Sequence, residues 1–285
     1  MSFMLRSATP SDAPVAGRIC HDAFKAIAEQ HGYPPDFPSA EVAIGLFDHL
    51  ISRADVHSVI AEVGGRVVGS NFLWEDENVA GVGPITVEPG QQNAAVGRRL
   101  MEAVLERARQ QRIAAVRLVQ AAYHTRSLSL YTKLGFITRE PLVVMQGATL
   151  KTSVAGHVVR AAHSRDAEAV NALCHRVHGH HRAGEVRAAI QQGNATVVEF
   201  DHRVVGYSTG VGFFGHTVGE SVDALKALIA GAPAFGGPGF LLPIRNAPLF
   251  RWCLEHKLRV VMPMTLMSIG PYNEPQGSFL PSILY

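Results

Sequence analysis

Two apolar runs split by a polar turn occur twice along the chain, HSVIAEVGGRVVGS at 57–70 and ATVVEFDHRVVGYS at 195–208. Each predicts a β-hairpin, with the break at GG or DH supplying the turn. Residues 81–89, GVGPITVEP, form an apolar, β-branched run that ends at a Pro-Gly break and predicts one strand. The period then changes. In VGRRLMEAVLERARQQR, 96–112, Val96, Leu100, Val104 and Ala108 recur every four residues, the stripe of an amphipathic helix. QQNAA, 91–95, is therefore a strand-to-helix loop. Within 114–147 the pattern predicts a strand (VRLVQAA), a helix (TRSLSLYTKL) stopped by Gly135, and another strand entered at Phe136.

The pattern is duplicated. LRSATPSDAPVAGRICH at 5–21 lies on VRAAHSRDAEAVNALCH at 159–175 at a constant offset of 154, matching Arg6 with Arg160, Ala8 with Ala162, Asp12 with Asp166, Cys20 with Cys174 and His21 with His175. Both stretches read as a short strand meeting a polar N-cap cluster and then a helix, with Asp12 and Asp166 in the first helical turn. The predicted class is α/β (α+β), built from two related units. Periodicity lapses over QGATLKTSVAGH, 146–157, so the expected domains are 1–148 and 155–285.

Composition narrows the classes. The chain has 285 residues, 47% hydrophobic and 18% charged, with a net charge of +2 and no basic block, which argues against a nucleic-acid partner. The early polarity of MSFMLRSATPSD and the absence of a long apolar run argue against a signal or a membrane partner. Three widely spaced cysteines, Cys20, Cys174 and Cys253, fit reduced thiols and a cytoplasmic protein.

The QQNAA loop carries the candidate chemistry, because amides at a helix N-terminus attract phosphate. The glycine such a loop would prefer at 95 is an alanine; a helical φ near −65° there would make the methyl tolerable and leave Gly97 for closest approach. QNAAVGRR resembles the acetyl-CoA loop of the GNAT N-acetyltransferase superfamily, and SLSLYTKLGF resembles its later helix motif, in the expected order. The resemblance covers residues 3–147 and implies a mixed, mostly antiparallel sheet flanked by helices in each of two tandem domains. It further implies that the backbone of Ile85, Thr86 and Val87 pairs with the pantetheine arm. Amides of Gln92, Asn93, Ala94, Ala95, Val96, Gly97 and Arg98 would cradle the pyrophosphate, and His124 and Ser127 would lie on the cofactor side. His124 stands where the family often has Asn. On the same resemblance Tyr131 is the proton donor; read from the residues alone it is equally a core tyrosine.

Acetyl transfer to an amine needs a neutral nucleophile, a stabilised oxyanion and a proton for the thiolate. No base is assigned among Glu75, Asp76, Glu77 and His124. Tyr33 and Phe37, in the proline-rich EQHGYPPDFPS, either select the acceptor or pack their loop. The second half lacks the loop motif, and Cys253 falls where Tyr131 would be, so it is expected to keep the fold and lose the cofactor site; its resemblance to tandem bacterial acetyltransferases implies that such a degenerate copy completes the acceptor pocket. His175 and His178 in CHRVHGHH suit a polar helix end better than a metal site, and Arg245 and Arg251 are either anion ligands or surface arginines. The terminal SFLPSILY is expected to pack on the body. The function expected is acetyl transfer from acetyl-CoA to a small amine or a protein lysine, with an acyl-CoA-binding sensor as the alternative. Exposed strand edges leave a homodimer open.

Overall fold

The computed structural model describes residues 3–75, 78–92 and 95–284. The chain divides into two units, the first holding everything up to Ile137 together with Met267–Gly270 and Leu284, the second holding 138–266 and 271–283.

The first unit runs β1 (Met4–Ser7), α1 (Ala13–Gln30), α2 (Ala40–Ser52), β2 (Val56–Val63), β3 (Arg66–Trp74), β4 (Val79–Val82), β5 (Thr86–Val87), α3 (Val96–Gln110), β6 (Ala115–Ala121) and α4 (Thr125–Lys133). The hairpin between β2 and β3 closes at Gly64 and Gly65, φ +57° and +78°, a conformation glycine adopts without penalty. Its sheet order is β1-β2-β3-β4-β6. α1 and α2 cover one face through Ile19, Cys20, Phe47 and Leu50 against Ile60 and Phe72. The predicted stripe of α3 is buried on the other face, where Leu100 and Val104 are fully enclosed. Gly17 lets the two covering helices touch, since a methyl there would lie 2.6 Å from the Ile44 Cα.

The single strand expected over 81–89 is instead two. β4 pairs with β3 through Leu73↔Val82 and runs parallel to β6 through Val79↔Ala115 to Gly81↔Arg117. β5 stays on β3, Gly69↔Val87 and Ser70↔Thr86, but takes no part in the path to β6. The sheet therefore opens after Val82, and among the described residues one side of β5 is left without a strand.

The second unit contains β7 (Ile137–Gln146) from Thr138 on, β8 (His157–Ala161), α5 (Ala167–His178), α6 (Ala183–Gln191), β9 (Thr196–Phe200), β10 (Arg203–Ser208), β11 (Thr217–Gly219), α7 (Val222–Ala230), β12 (Phe240–Pro243), α8 (Ala247–Glu255), β13 (Arg259–Ile269) up to Leu266, and β14 (Ser278–Leu280). One sheet is ordered β14-β11-β10-β9-β8, and β7 pairs antiparallel with β12 from Phe240↔Met145 to Pro243↔Leu142. That pairing groups β7 with the second unit and puts the division at 137, ahead of the irregular segment 147–156 where the sequence pattern lapses. Residues Met267–Gly270, ending β13, lie beside β6 in the first unit.

The duplicated sequence has a duplicated contact. Arg6 donates to both carboxylate oxygens of Asp12 at 2.7 Å and to Glu62 at 2.8 Å; Arg160 does the same to Asp166 at 2.7 and 2.8 Å and to Glu199 at 3.0 Å. Asp12 and Asp166 also accept the amides of Thr9 and His163. The arginine bonds hold both carboxyls down at about 2. A depressed acidity constant means stability present above pH ~4 and lost as pH falls towards 2. We expect the unfolding free energy to drop between pH 5 and 3, by about 1 kcal/mol per site after screening at the part-exposed arginines, and the doubly substituted Asp12→Asn/Asp166→Asn protein to lose that dependence. Urea unfolding followed by circular dichroism across pH checks this.

The terminal segment packs as expected: β14 pairs with β11, Phe279 and Leu280 are buried, and the Ile283 amide donates to the Phe213 carbonyl at 2.8 Å. Arg245 is engaged by buried Glu140 and by Glu274, which corrects its reading as an anion ligand. His175 stacks on His181, whereas His178 packs against His180, His216 and Phe279, so the two helical histidines do not converge. All three cysteines are buried and none forms a disulfide. Among the described residues no helix is long and apolar enough to cross a membrane.

Candidate functional site

The site begins at the turn into α3. Ala95 is its N-cap and adopts φ 62°, ψ 3°, the left-handed conformation. This corrects the helical φ expected from the sequence: Ala95 lies outside the helix as its left-handed N-cap, and the alanine bears a strain of about 1 kcal/mol that glycine would avoid. No side chain caps the helix, and the first intrahelical bond is from Arg99 N–H to the Ala95 carbonyl at 3.1 Å. The amides of Val96, Gly97 and Arg98 thus precede the hydrogen-bonded helix, behind a left-handed residue whose geometry favours an anion-binding nest. Ala95→Gly is expected to raise stability by about 0.5 kcal/mol, the relief of strain less the added entropy of the unfolded chain. A shift in the thermal midpoint without loss of coenzyme A binding, both measured on the purified protein, checks this.

The turn opens on a cavity of ≈ 390 Å³. Ile85, Thr86 and Val87 form one wall, Gln92 and Ala95 to Arg98 a second, and His124, Ser127, Leu130 and Tyr131 a third. Asn93 and Ala94, expected in the cradle, lie outside the described residues, as do Asp76 and Glu77. Buried Thr86 is fixed by a 3.0 Å hydroxyl contact with Ser70. Gln92 bridges the walls: its amide nitrogen donates to the Val87 carbonyl at 3.3 Å, and its amide oxygen accepts from Arg126 at 3.0 Å. A methyl added to Gly97 would meet only Val87 Cγ2 at 3.7 Å and Leu130 Cδ2 at 3.8 Å, ordinary contacts. Packing within the protein therefore does not require glycine at 97.

Tyr131 is both a core residue and part of the cavity wall. Its ring joins the α3–α4 core against Phe136, with centroids 6.0 Å apart, while the residue also lines the cavity. Burial pushes its phenol up to about 12, opposed by a hydrogen bond with Ser127. His124, at the N-terminus of α4, is pushed down to about 4 by burial and then by the Arg126 charge, so its imidazole is neutral at pH 7. Its Nδ1 is shut off from solvent without a hydrogen-bond partner. Glu75 accepts from Arg107 Nε and, at 3.0 Å, from Nη2, which commits this candidate base to an ion pair.

Sequence reasoning missed Arg126, a second cation on the cavity wall beside Arg98, although it sits inside the quoted TRSLSLYTKL segment. It also missed Ala23, Phe24 and Ile27 of α1, which complete the lining. Their helical spacing reads only as a core face.

In the second unit two helix starts are capped by side chains. α7 is capped by Ser221, whose hydroxyl accepts the Ala224 amide at 3.2 Å, and α8 by Asn246, which accepts from Leu249 at 3.3 Å. α4 and α8 are both nine residues long, and Cys253 holds the seventh position of α8 as Tyr131 holds that of α4. Cys253 is buried.

The family described as Acetyltransferase (GNAT) matches residues 22–136. An IAA acetyltransferase of Azospirillum brasilense is 30% identical over 118 residues, 40% of this chain and 76% of the relative. Among solved structures, a Pyrococcus horikoshii protein assigned as an acetyltransferase aligns over 97% of this chain and 94% of its own, at 20% identity and a TM-score of 0.72. A GCN5-related N-acetyltransferase from Sphaerobacter thermophilus aligns over 97% and 98%, at 16% identity and a TM-score of 0.63. A tandem GNAT protein from the clavulanic acid biosynthesis pathway aligns over 95% and 100%, at 15% identity and a TM-score of 0.55. At these identities the structures speak to fold.

Proposed function

The chain belongs to the GNAT acetyltransferase family, with the family's fold present twice in tandem, and from that premise we propose that its first unit transfers an acetyl group from acetyl-CoA to a primary amine. The observation that carries this reading is the meeting, in one cavity, of the uncapped α3 turn and the Tyr131 phenol.

The residues present fit the cofactor the family uses. Amides of Val96, Gly97 and Arg98 offer donors to a diphosphate, with Arg98 and Arg126 adding positive charge. The strand-free side of β5 at Ile85 to Val87 offers main-chain groups to an extended amide-bearing arm. Gly97 leaves room between Val87 and Leu130. Acetyl-CoA, when bound, would supply an activated acyl group as a thioester. Tyr131 Oη holds a proton at the cavity wall and is the donor for a departing sulfur. Ser127 orients that hydroxyl, and His124 presents a neutral imidazole beside it. The second unit, with α7 and α8 capped by their own side chains and cysteine at the tyrosine position, is read as a degenerate copy without a cofactor site.

An acyl-CoA sensor would keep the cradle without needing a proton donor, and Tyr131 on the cavity wall favours turnover. Thiol release from acetyl-CoA across an amine panel, with IAA included, tests the reading. Coenzyme A binding with no acceptor-dependent thiol release would transfer support to the sensor.

A further inference from the structure

Away from the α3 turn, the connection between α1 and α2 places a second set of side chains against the segment that follows β6. Tyr33 stacks on Tyr123 with centroids 4.3 Å apart and planes 11° apart, and the His31 ring lies 5.4 Å from Tyr123. Phe24, on the cavity wall, stacks on Phe37 at 5.9 Å, so the connection carrying Asp36 is anchored to that wall. His124 links the two regions, lining the cavity while sensing His31.

Hydrogen bonding here is incomplete within the chain. The Tyr123 hydroxyl, His31 Nδ1 and His124 Nδ1 are enclosed without partners. Folded proteins satisfy nearly all such atoms, so three gathered around the His31–Tyr123 contact point to polar groups supplied from outside the chain. Asp36 is the acid of this cluster. Close packing strips water from its carboxyl and pushes it up to about 6, although the residue as a whole is only half-buried, and no cation offsets the shift. Burial pushes up the Cys20 thiol of α1 and the Tyr123 phenol in the turn after β6, and the Asp36 charge adds to both shifts. Both groups are uncharged at pH 7. The cavity-lining arginines, Arg98 and Arg126, lie on α3 and α4.

Resting on the acetyltransferase reading, we propose that Asp36 is the acceptor-recognition residue: its carboxylate receives the ammonium of a primary amine carried on an aromatic or apolar body, with Tyr123 and His31 as neighbouring hydrogen-bond partners. A carboxylate carried between Tyr33 and Phe37, whose rings stack on Tyr123 and Phe24, offers charge to the cation beside apolar surface for the body. It disfavours an acceptor with its own carboxylate.

A raised carboxyl constant means that Asp36 stabilises the fold only while protonated, and that stability is lost as pH rises through about 6. Asp36→Asn should therefore be more stable than the parent at pH 7 while binding the acceptor less well, an inversion that a purely structural residue would not produce.

The probes are tyramine and tyrosine, which share a ring and differ in the carboxylate. Calorimetry on the full chain loaded with coenzyme A should show tyramine preferred, its affinity rising between pH 5 and 7. Asp36→Asn should weaken tyramine roughly 30-fold and flatten that pH dependence, with coenzyme A affinity within about twofold of the parent and Asp36→Glu recovering part of the loss. Equal binding of tyramine and tyrosine, no tyramine binding, or parent-like tyramine affinity in Asp36→Asn overturns the proposal. Absent coenzyme A binding would instead overturn the acetyltransferase reading, and tyramine binding to the unloaded protein would still score Asp36 separately.

Discussion

Replacing Tyr131 with phenylalanine is expected to lower kcat for acetyl transfer about 100-fold while leaving coenzyme A affinity unchanged. The ring already belongs to the core beside Phe136, so phenylalanine keeps the packing and removes one hydroxyl and its bond with Ser127. The structural cost is about 1 kcal/mol or less. With the phenol pushed up to about 12, Tyr131 keeps its proton at every pH where activity would be measured. Its loss should therefore scale the pH–rate profile down without moving either limb. A phenol that holds its proton this firmly can still act as a donor, because the same desolvation raises the proton affinity of a thiolate in the cavity. Steady-state kinetics and calorimetry on parent and variant separate the two readouts. Unchanged kcat in the phenylalanine protein would remove Tyr131 from the chemistry.

The second large effect is expected at Gly97. Gly97→Leu should abolish coenzyme A binding, a loss above about 100-fold in Kd, with the fold intact or stabilised by about 0.5–1 kcal/mol from better helix propensity. A Cβ at 97 makes only ordinary contacts with Val87 and Leu130, so the atoms beyond it must occupy the space between β5 and α4. Gly97→Ala should be milder, near tenfold. Calorimetry, with thermal unfolding as the control for folding, decides the matter. Parent-like affinity in Gly97→Leu would mean that the ligand does not approach the start of α3, and the site assignment would fall.

What could be read along the chain was local. Hairpins at 57–70 and 195–208, the α3 stripe and the repeat of Arg6–Asp12 as Arg160–Asp166 follow from periods and spacings that neighbouring residues impose on one another. Ile85 to Val87 and Tyr131 came from the resemblance that the two motifs carry rather than from periodicity, and the structure brings them with Gly97 to the lining of one cavity. Tertiary structure decided what depends on distant partners. Whether 81–89 forms one strand or two turns on which stretch keeps β6 as a neighbour, some 30 residues later in the chain. Ala95 is left-handed at the entry to α3, against the residue's own preference. Glu75 is spoken for by Arg107, and Asp36 is set apart by the packing that strips water from its carboxyl. Strand pairing and desolvation are each set by where other segments lie, and a one-dimensional pattern carries no record of that.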